Sequence, residues 1–432
     1  MSKTQKILSV VVIVCVLFLG FVVGRIGGAN TNATITAKGA TPIPQGQIYD
    51  SAAWGKIYPL QYASEMKSQQ VGDKPGRFGG NRAQDHFEMQ PEILVNFKGN
   101  AFSLDYKDDR GHFYAIKDLK ETKRVNEKTK TACITCKTPL IEAAFEEYGW
   151  DYASIPFADY IGNIKDDQFI TCANCHDPLT NDLRVINPAF IEAQERRGID
   201  LSRATREEMR SYVCAQCHSE YYFEPDTFKI IFPWDNGLNA EQVYDYYSTI
   251  PHGFQQDFIH ADSEAKMLKI QHPEFETFSS GIHAKAGVSC ADCHMAYNLE
   301  KGEKYSNHWV TSPLRSVESS CGKCHNQSTE WLIDSVTTIQ EDFFQVQRAA
   351  GSAVAEAHGA IAKAMEVAGV NESSLENARE LVRKAQFFWD YIAAENSMGF
   401  HSPSQMFKTA AMAIDYARQS IEAAKLAAGR NL

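Results

Sequence analysis

Five cysteine pairs with the same two-residue gap dominate this sequence of 432 residues. Four of the pairs are followed directly by histidine, which is typical of c-type haem attachment. Two thiols bind each haem covalently, and the histidine becomes a ligand of its iron. A chain with this pattern must fold around macrocycles, which take the place of much of an ordinary side-chain core. The four motifs are Cys172-Ala-Asn-Cys175-His176, Cys214-Ala-Gln-Cys217-His218, Cys290-Ala-Asp-Cys293-His294 and Cys321-Gly-Lys-Cys324-His325.

The first pair, Cys133 and Cys136, is followed by Lys137 instead of histidine. An amine must be neutral to coordinate iron, whereas a free lysine keeps its proton up to about pH 10. Axial-ligand identity is one of the main controls on haem reactivity. We therefore predict five haems, of which the lysine-ligated one performs chemistry and the other four carry electrons.

Other uses of paired cysteines fit this chain poorly. Zinc sites space such pairs about 15–20 residues apart, and Cys136 is much further from Cys172. A thioredoxin-like redox motif is a single pair, not five copies. Ten of the eleven cysteines belong to the motifs, so disulfides do not organise the fold.

Composition narrows the range of partners. The net charge of −11 excludes nucleic acid, because no basic field is available to neutralise phosphates. A small anionic substrate remains possible, since it responds to the local charge inside a cleft.

The N-terminal sequence is typical of a targeting segment. An apolar stretch from Ile7 to Gly24 follows Lys3 and Lys6, as in a signal peptide, although its length also reaches the lower limit for a membrane span. We predict a signal peptide or membrane anchor over residues 1–29 and a flexible linker over 30–46. Both alternatives place the remainder in the periplasm, soluble or on the periplasmic face of the membrane.

The remainder divides into a pentahaem catalytic region (47–328) and a long-helix region (329–432). Strand-like alternation is sparse, so we predict a mostly α multihaem cytochrome c fold with long C-terminal helices. One helix is expected over about 329–367. Helix periodicity continues over 374–397. The apolar faces of these helices suit an intramolecular core or a dimer interface, and the sequence favours neither.

Capping signals predict where these helices begin and end. Ser373 with Glu376 resembles a capping box, and Gly399 is a plausible stop. Ser402 with Gln405 resembles a second box, with proline at the first helical position.

Five irons have ten axial positions, and the motifs fill five of them. If the lysine-ligated iron keeps one face open, four further histidines are needed. Counting alone cannot choose among the nine available: His86, His112, His252, His260, His272, His283, His308, His358 and His401.

With its lysine motif first and four ordinary motifs after it, the chain resembles pentahaem cytochrome c nitrite reductase, the ammonia-forming enzyme. The resemblance covers nearly everything after the N-terminal segment. It rests also on the flanking motifs Arg110-Gly111-His112, Glu121-Thr122-Lys123-Arg124, Cys217-His218-Ser219-Glu220-Tyr221-Tyr222-Phe223, Lys269-Ile270-Gln271-His272-Pro273-Glu274 and Gly281-Ile282-His283.

The resemblance implies a role for each matching position. Lys137 would be the proximal ligand of the catalytic haem, with Arg124, Tyr221 and His272 on its open face. A calcium ion beside it would be held by Glu220, Gln271 and the backbone carbonyls of Tyr221 and Lys269. The second to fifth haems would take His308, His112, His401 and His283 as distal ligands, in that order. His86, His252, His260 and His358 are left without roles.

The same resemblance implies reduction of nitrite to ammonium, a membrane-bound multihaem quinol dehydrogenase as electron donor, and a homodimer through the C-terminal helices. Two alternatives remain open. A pentahaem electron carrier would have every iron six-coordinate, and the open iron of an enzyme could also accept hydroxylamine or sulfite.

Overall fold

Three long C-terminal helices and many short helices before them make up the fold. The computed structural model describes residues 41–72, 75–250 and 254–429. Of these, the residues from Ile43 onward form one packed unit, and the predicted signal or anchor segment lies outside the described residues. Among the described residues, no helix is long and apolar enough to cross a membrane.

The α-helices are numbered in chain order. They are α1 (Ser51–Gly55), α2 (Pro59–Glu65), α3 (His86–Met89), α4 (Ile93–Asn96), α5 (Ala115–Glu121), α6 (Ile141–Tyr148), α7 (Phe157–Ile161), α8 (Pro188–Arg196), α9 (Arg206–Ala215), α10 (Ala240–Thr249), α11 (Glu274–Ser280), α12 (Ile282–Lys285), α13 (Cys290–His294), α14 (Thr329–Met365), α15 (Glu372–Ala394) and α16 (Pro403–Ala427).

Strands are confined to three antiparallel hairpins in the described part of the chain. They are β1 (Tyr222–Phe223) with β2 (Ile230–Ile231), β3 (Phe258–Ile259) with β4 (Lys266–Met267), and β5 (Tyr297–Glu300) with β6 (Glu303–Ser306). The predicted mostly α fold is therefore confirmed, and so is the long helix expected over about 329–367, which runs over Thr329–Met365.

The predicted capping box at Ser373 and Glu376 is wrong. Helix α15 begins two residues earlier, because the Asn371 side chain accepts a hydrogen bond from the Ser374 backbone N–H at 2.9 Å. Asparagine is as good an N-cap as serine, and the helix is capped by Asn371, which comes before Ser373 in the sequence. Gly399 lies beyond the end of α15, in the connection to α16, with φ of 84°.

The second predicted box is also wrong, although α16 does begin at Pro403. The Ser402 side chain makes no capping hydrogen bond. Its hydroxyl oxygen instead accepts from the Ser280 hydroxyl at 2.8 Å, so it joins α16 to the end of α11.

Small residues bring the three long helices close together. Alanines along the facing sides are fully buried, including Ala357 on α14, Ala385 on α15 and Ala413 on α16. Gly351 on α14 is required for the same reason, because a Cβ there would lie 2.6 Å from Trp389 Nε1 and 2.8 Å from Glu92 Cγ. The long helices thus share one core with the region that precedes them.

Two of the histidines without predicted roles lie in this core. The rings of His260, between β3 and β4, and His358, on α14, stack with centres 3.6 Å apart and planes 9° apart. His358 bonds to the Ser263 hydroxyl and to Gln386 Oε1, both at 2.8 Å. His260 Nε2 lies 2.8 Å from the Val95 carbonyl oxygen. The pair therefore fastens a hairpin to α14 and α15 through neutral rings.

Burial, reinforced by the neighbouring His260, lowers the pKa of His358 to about 3. The ordinary value near 6.5 applies to the unfolded chain. Between these values the unfolded state binds more protons than the folded state. The contribution of His358 to stability is therefore complete above about pH 6.5 and is lost as the pH falls toward 3.

Acid should destabilise the protein partly through His358. We expect the wild-type free energy of unfolding to fall by on the order of 3 kcal/mol from this group between pH 6.5 and pH 4. His358→Gln, which cannot be protonated, should be less stable at pH 7 but should show a shallower decline. Urea unfolding of both holoproteins across this range measures the two slopes, and equal slopes would contradict the assignment.

Candidate functional site

The haem motifs fold into short helical turns. The turns are Thr131–Cys136, Cys172–Asn174, α13 (Cys290–His294) and Cys321–Lys323, while Cys214 lies near the end of α9. Cysteines three positions apart on such a turn face the same side, as two thioethers to one macrocycle require. In three motifs the backbone N–H of the histidine donates to the backbone carbonyl of the first cysteine at 2.9 Å, as that of His176 does to Cys172.

Three of the predicted ligand pairs face each other at the separation that an intervening metal requires. The ring centres are 6.1 Å apart for His176 and His308, 6.4 Å for His294 and His401, and 6.3 Å for His325 and His283. Two metal–nitrogen bonds of about 2 Å plus two ring radii give about 6 Å. The residues therefore fit haem irons held between them.

The remaining motif histidine, His218, has two imidazole neighbours. Its ring centre lies 6.3 Å from that of His272, and it also lies close enough to His112 for its charge to affect the pKa of that ring. The resemblance assigns His112 to this iron and His272 to the open face of the neighbouring one. The structure brings all three together.

Most of these rings are held in the neutral form that binds metals. Burial lowers the pKa of His112, His294 and His308 to about 4, each reinforced by the partner imidazole. His401 differs from them. Burial opposes its charge, but the carboxylate of Glu395 outweighs burial and raises the pKa of His401.

The side chain of Lys137 contacts a carboxylate that the sequence did not single out. Lys137 Nζ lies 2.6 Å from Asp109 Oδ2. Burial would lower the pKa of Lys137, but Asp109 outweighs burial and raises it. Burial likewise opposes ionisation of Asp109, yet Lys137 lowers the pKa of Asp109 to about 2. Coordination of iron by this amine therefore requires the loss of a proton that Asp109 stabilises.

The other predicted active-site residues surround this pair. Asp109 lies within electrostatic reach of both His272 and Arg124. The hydroxyl of Tyr221 lies within similar reach of the haem-binding thiols of Cys133 and Cys136, and of Arg124. Burial raises the pKa of Tyr221 well above its usual value, so its hydroxyl keeps its proton at neutral pH.

The predicted calcium ligands also lie together. Glu220 is fully buried, and its Oε2 accepts the Gln271 backbone N–H at 2.6 Å, while its Oε1 accepts the Tyr247 hydroxyl at 2.7 Å. Gln271 Nε2 lies 3.2 Å from the Lys269 carbonyl oxygen. Burial raises the pKa of Glu220 well above its usual range, so a bound cation would stabilise its charged form. Calcium prefers carboxylate, amide and carbonyl oxygens, which this cluster supplies.

A buried ion pair braces the segment that carries these residues. Lys269 Nζ lies 2.9 Å from Oδ1 of Asp390 on α15, and Asp390 Oδ2 accepts the Ile270 N–H at 2.7 Å. Because its amine is engaged there, Lys269 is left to offer its backbone carbonyl to the cluster. Lys269 Nζ also lies 4.5 Å from the ring centre of Phe102, and the Arg124 guanidinium carbon lies 4.4 Å from the same centre.

The histidines without predicted roles have structural ones where they are described. His86 Nε2 lies 2.6 Å from Asp108 Oδ1, and its ring stacks on Tyr106 with centres 4.3 Å apart. His260 and His358 form the stacked pair described above, and His252 lies outside the described residues.

Three functional positions escaped sequence analysis, namely Asp109, Asp390 and Glu395. Each is an acidic residue that contacts a predicted site residue. The two partners are separated by 6 to 121 positions in the sequence. Acidic residues are common on helices and in loops, so no spacing pattern distinguishes them. Two of them lie near a predicted ligand in the sequence, Asp109 three positions before His112 and Glu395 six positions before His401, but nearness in sequence does not show which contact forms.

Comparison with known proteins agrees with this geometry. Residues 50–431 match the Cytochrome c552 family. Cytochrome c-552 of Parabacteroides distasonis is 38% identical over 371 residues, which cover 84% of this chain and 74% of that protein. The cytochrome c nitrite reductase subunit NrfA of Nitratidesulfovibrio vulgaris is 35% identical over 412 residues, which cover 87% and 78% of the two chains.

A solved structure is similar to this chain over most of the length of both proteins. Cytochrome c nitrite reductase from Desulfovibrio desulfuricans, whose catalytic subunit has two calcium sites, matches with a TM-score of 0.83 and 35% identity. The match covers 89% of this chain and 87% of that one. The predicted multihaem cytochrome fold and the resemblance on which it rested are therefore confirmed.

Removing the negative charge of the buried Asp390 should lower the free energy of unfolding. Asp390→Asn leaves the Lys269 ammonium buried without its counter-charge, and we expect a loss of about 3–5 kcal/mol in the free energy of unfolding. The double variant Lys269→Met/Asp390→Leu should regain much of this loss, because it removes both charges. Thermal and urea unfolding of the holoproteins measures the effect.

Asp334→Asn is the matched control for this prediction, since Asp334 is exposed on α14 and exposed substitutions usually change stability by less than about 0.5 kcal/mol. An Asp390→Asn protein as stable as this control would show that the pair does not brace the segment.

Proposed function

This chain belongs to the cytochrome c552 family, and from that membership we propose that it is a pentahaem enzyme that reduces nitrite to ammonium. The observation that carries the proposal is the lysine motif, Cys133-Ile-Thr-Cys136-Lys137, surrounded by Arg124, Tyr221 and His272. An electron carrier has no need of an unusual ligand beside a cationic, proton-donating pocket.

Lys137 and the first cysteine pair would hold the catalytic haem. When bound, this haem supplies an iron that takes the substrate on its open face and passes electrons to it. The reaction consumes six electrons and eight protons per nitrite, releasing two water molecules with the ammonium. Four further haems would suit a demand for several electrons at one place. Three of them would be held by the facing imidazole pairs and the fourth by His218 with His112.

The chain's own residues would bind the anion and move its protons. Arg124 carries a permanent positive charge, which binds nitrite and stabilises negative charge as the N–O bonds break. Tyr221 retains its hydroxyl proton because burial raises its pKa, so its O–H can donate to a substrate oxygen. His272 is the second candidate donor. A calcium ion at Glu220, Gln271 and the carbonyls of Tyr221 and Lys269 would add positive charge beside the pocket.

Location, donor and assembly form part of the same proposal. We place the enzyme in the periplasm, soluble or held on the membrane face, and supplied by a membrane-bound multihaem quinol dehydrogenase. Supporting this are the signal-like sequence of residues 1–29 and the use of c-type haem. A homodimer through the long C-terminal helices is also proposed, and the native mass of the purified protein tests it.

Lys137→Ala tests the catalytic assignment. We expect nitrite turnover with a chemical reductant to fall by at least roughly 100-fold, the upper end of the cost of losing an outer-shell metal partner. The control is Lys128→Ala, which removes an exposed lysine nearby and should leave turnover unchanged. Full turnover in Lys137→Ala would reject the proposal.

The same preparations distinguish the alternatives. The proposed enzyme should show a high-spin signal from one haem at rest, whereas a carrier would show only low-spin haems. Nitrite, hydroxylamine and sulfite turnover should be compared on wild-type protein, and a preference for sulfite would overturn the choice of substrate.

A further inference from the structure

We propose that Glu395 is a positioning residue that lowers the reduction potential of the haem held between His294 and His401. The inference rests on the proposed haem ligation and goes beyond it, since it concerns what makes the reduction potential of one of the electron-relaying haems differ from those of the others.

Three of the predicted ligand histidines have neutral partners. Nδ1 of His176 lies 2.9 Å from the Asn181 carbonyl oxygen, Nδ1 of His294 lies 3.0 Å from that of Thr311, and Nδ1 of His308 lies 2.8 Å from that of Ser306. Such a bond orients the ring and leaves Nε2 free for the metal.

His401 has a charged partner instead. Its Nδ1 lies 2.6 Å from Oε1 of Glu395, which is 1% exposed. His218 also lies near a carboxylate, but the distance from its Nδ1 to Glu274 Oε2 is 3.8 Å, beyond hydrogen-bond range. Among these five imidazoles, His401 is therefore the one bonded directly to a carboxylate.

The other hydrogen bonds of Glu395 fix the direction of this contact. Oε2 accepts both the backbone N–H of Ser397 at 3.1 Å and its hydroxyl at 2.7 Å. An ionised carboxylate has only acceptor oxygens, so in the 2.6 Å contact His401 Nδ1 carries the proton and Oε1 accepts it. The lone pair on Nε2 remains available, and the ring faces His294 with centres 6.4 Å apart.

The loop between Glu395 and His401 is held from several sides. The Ser397 hydroxyl accepts the His401 N–H at 2.9 Å, and Gln340 on α14 donates to the Ser397 carbonyl at 3.0 Å. A Cβ at Gly281 would lie 2.1 Å from the His401 carbonyl oxygen, and one at Gly399 would lie 2.6 Å from Phe343. The carboxylate and the imidazole are thus kept in contact by the fold.

The electronic consequence follows from charge. A carboxylate that accepts the Nδ1 proton makes the imidazole a stronger donor to its metal. A stronger donor stabilises ferric over ferrous iron, so the haem becomes harder to reduce. We expect the haem of Cys290 and Cys293 to lie at a lower potential than it would with a neutral partner on His401.

The test is a redox titration of the haem-loaded, full-length protein, followed by the spectra of its low-spin haems. Glu395→Gln keeps the shape of the side chain but removes its charge, and the midpoint of one low-spin haem should move to a higher potential. Glu376→Gln removes a charge from an exposed position on α15, the helix that Glu395 follows, and it should move none of the midpoints.

Ser397→Ala separates tuning from simple disturbance. It removes a hydrogen bond that competes for the Glu395 carboxylate, so more negative charge is left for His401 and the same midpoint should fall. A general disturbance of the loop would instead shift the midpoint potential in the same direction in both variants. If Glu395→Gln fails to accumulate, the direction of the shift in Ser397→Ala decides the question.

Midpoints in Glu395→Gln that equal those of Glu376→Gln would overturn the inference, as would a downward shift or the loss of one low-spin signal. His401→Ala distinguishes this failure from failure of the haem assignment. Should His401→Ala keep all four low-spin signals, both the ligand assignment and the inference fall. Should it lose one while Glu395→Gln shifts nothing, the inference alone falls.

Discussion

Two imidazoles can share one iron only if the chain holds their ring centres about 6 Å apart. Three pairs of histidines meet this condition, and each pair joins residues far apart in sequence, such as His176 and His308. In two of these pairs, hydrogen bonds at Nδ1 of each ring help to fix the separation. The many short helices before α14 are consistent with this constraint, because their main task is to present ligands from several directions.

The long helices contribute to function through what they brace. Asp390 on α15 holds Lys269 and Ile270, next to the predicted calcium ligands and His272. Glu395, immediately after α15, holds His401. A regular helix is a rigid support for such contacts, and the small residues between the long helices keep it in place. Helix α15 thus places one carboxylate beside the candidate site, and the residue that follows it places another beside the predicted ligand His401.

Sequence analysis was most successful where chemistry demands a fixed spacing. The cysteine pairs follow from the covalent attachment of haem, and the long helices follow from apolar periodicity. Helix ends were less predictable, because Asn371 and Ser373 are both good caps and only packing decides between them. Contacts such as Lys137 with Asp109 could not be predicted, since no local pattern marks an acidic residue that meets its partner across the fold. The distal histidines were assigned by resemblance and not by spacing, and counting alone left nine candidates.

The proposed chemistry requires that the nitrogen of Lys137 bind iron in spite of its contact with Asp109. A crystal structure of the haem-loaded protein measures this directly, as the distance from Lys137 Nζ to the iron bound at Cys133 and Cys136. We expect about 2 Å, as for other metal–nitrogen bonds, with no protein ligand on the opposite face. A Lys137 Nζ that stays with Asp109, or an iron closed on both faces by protein, would contradict the account.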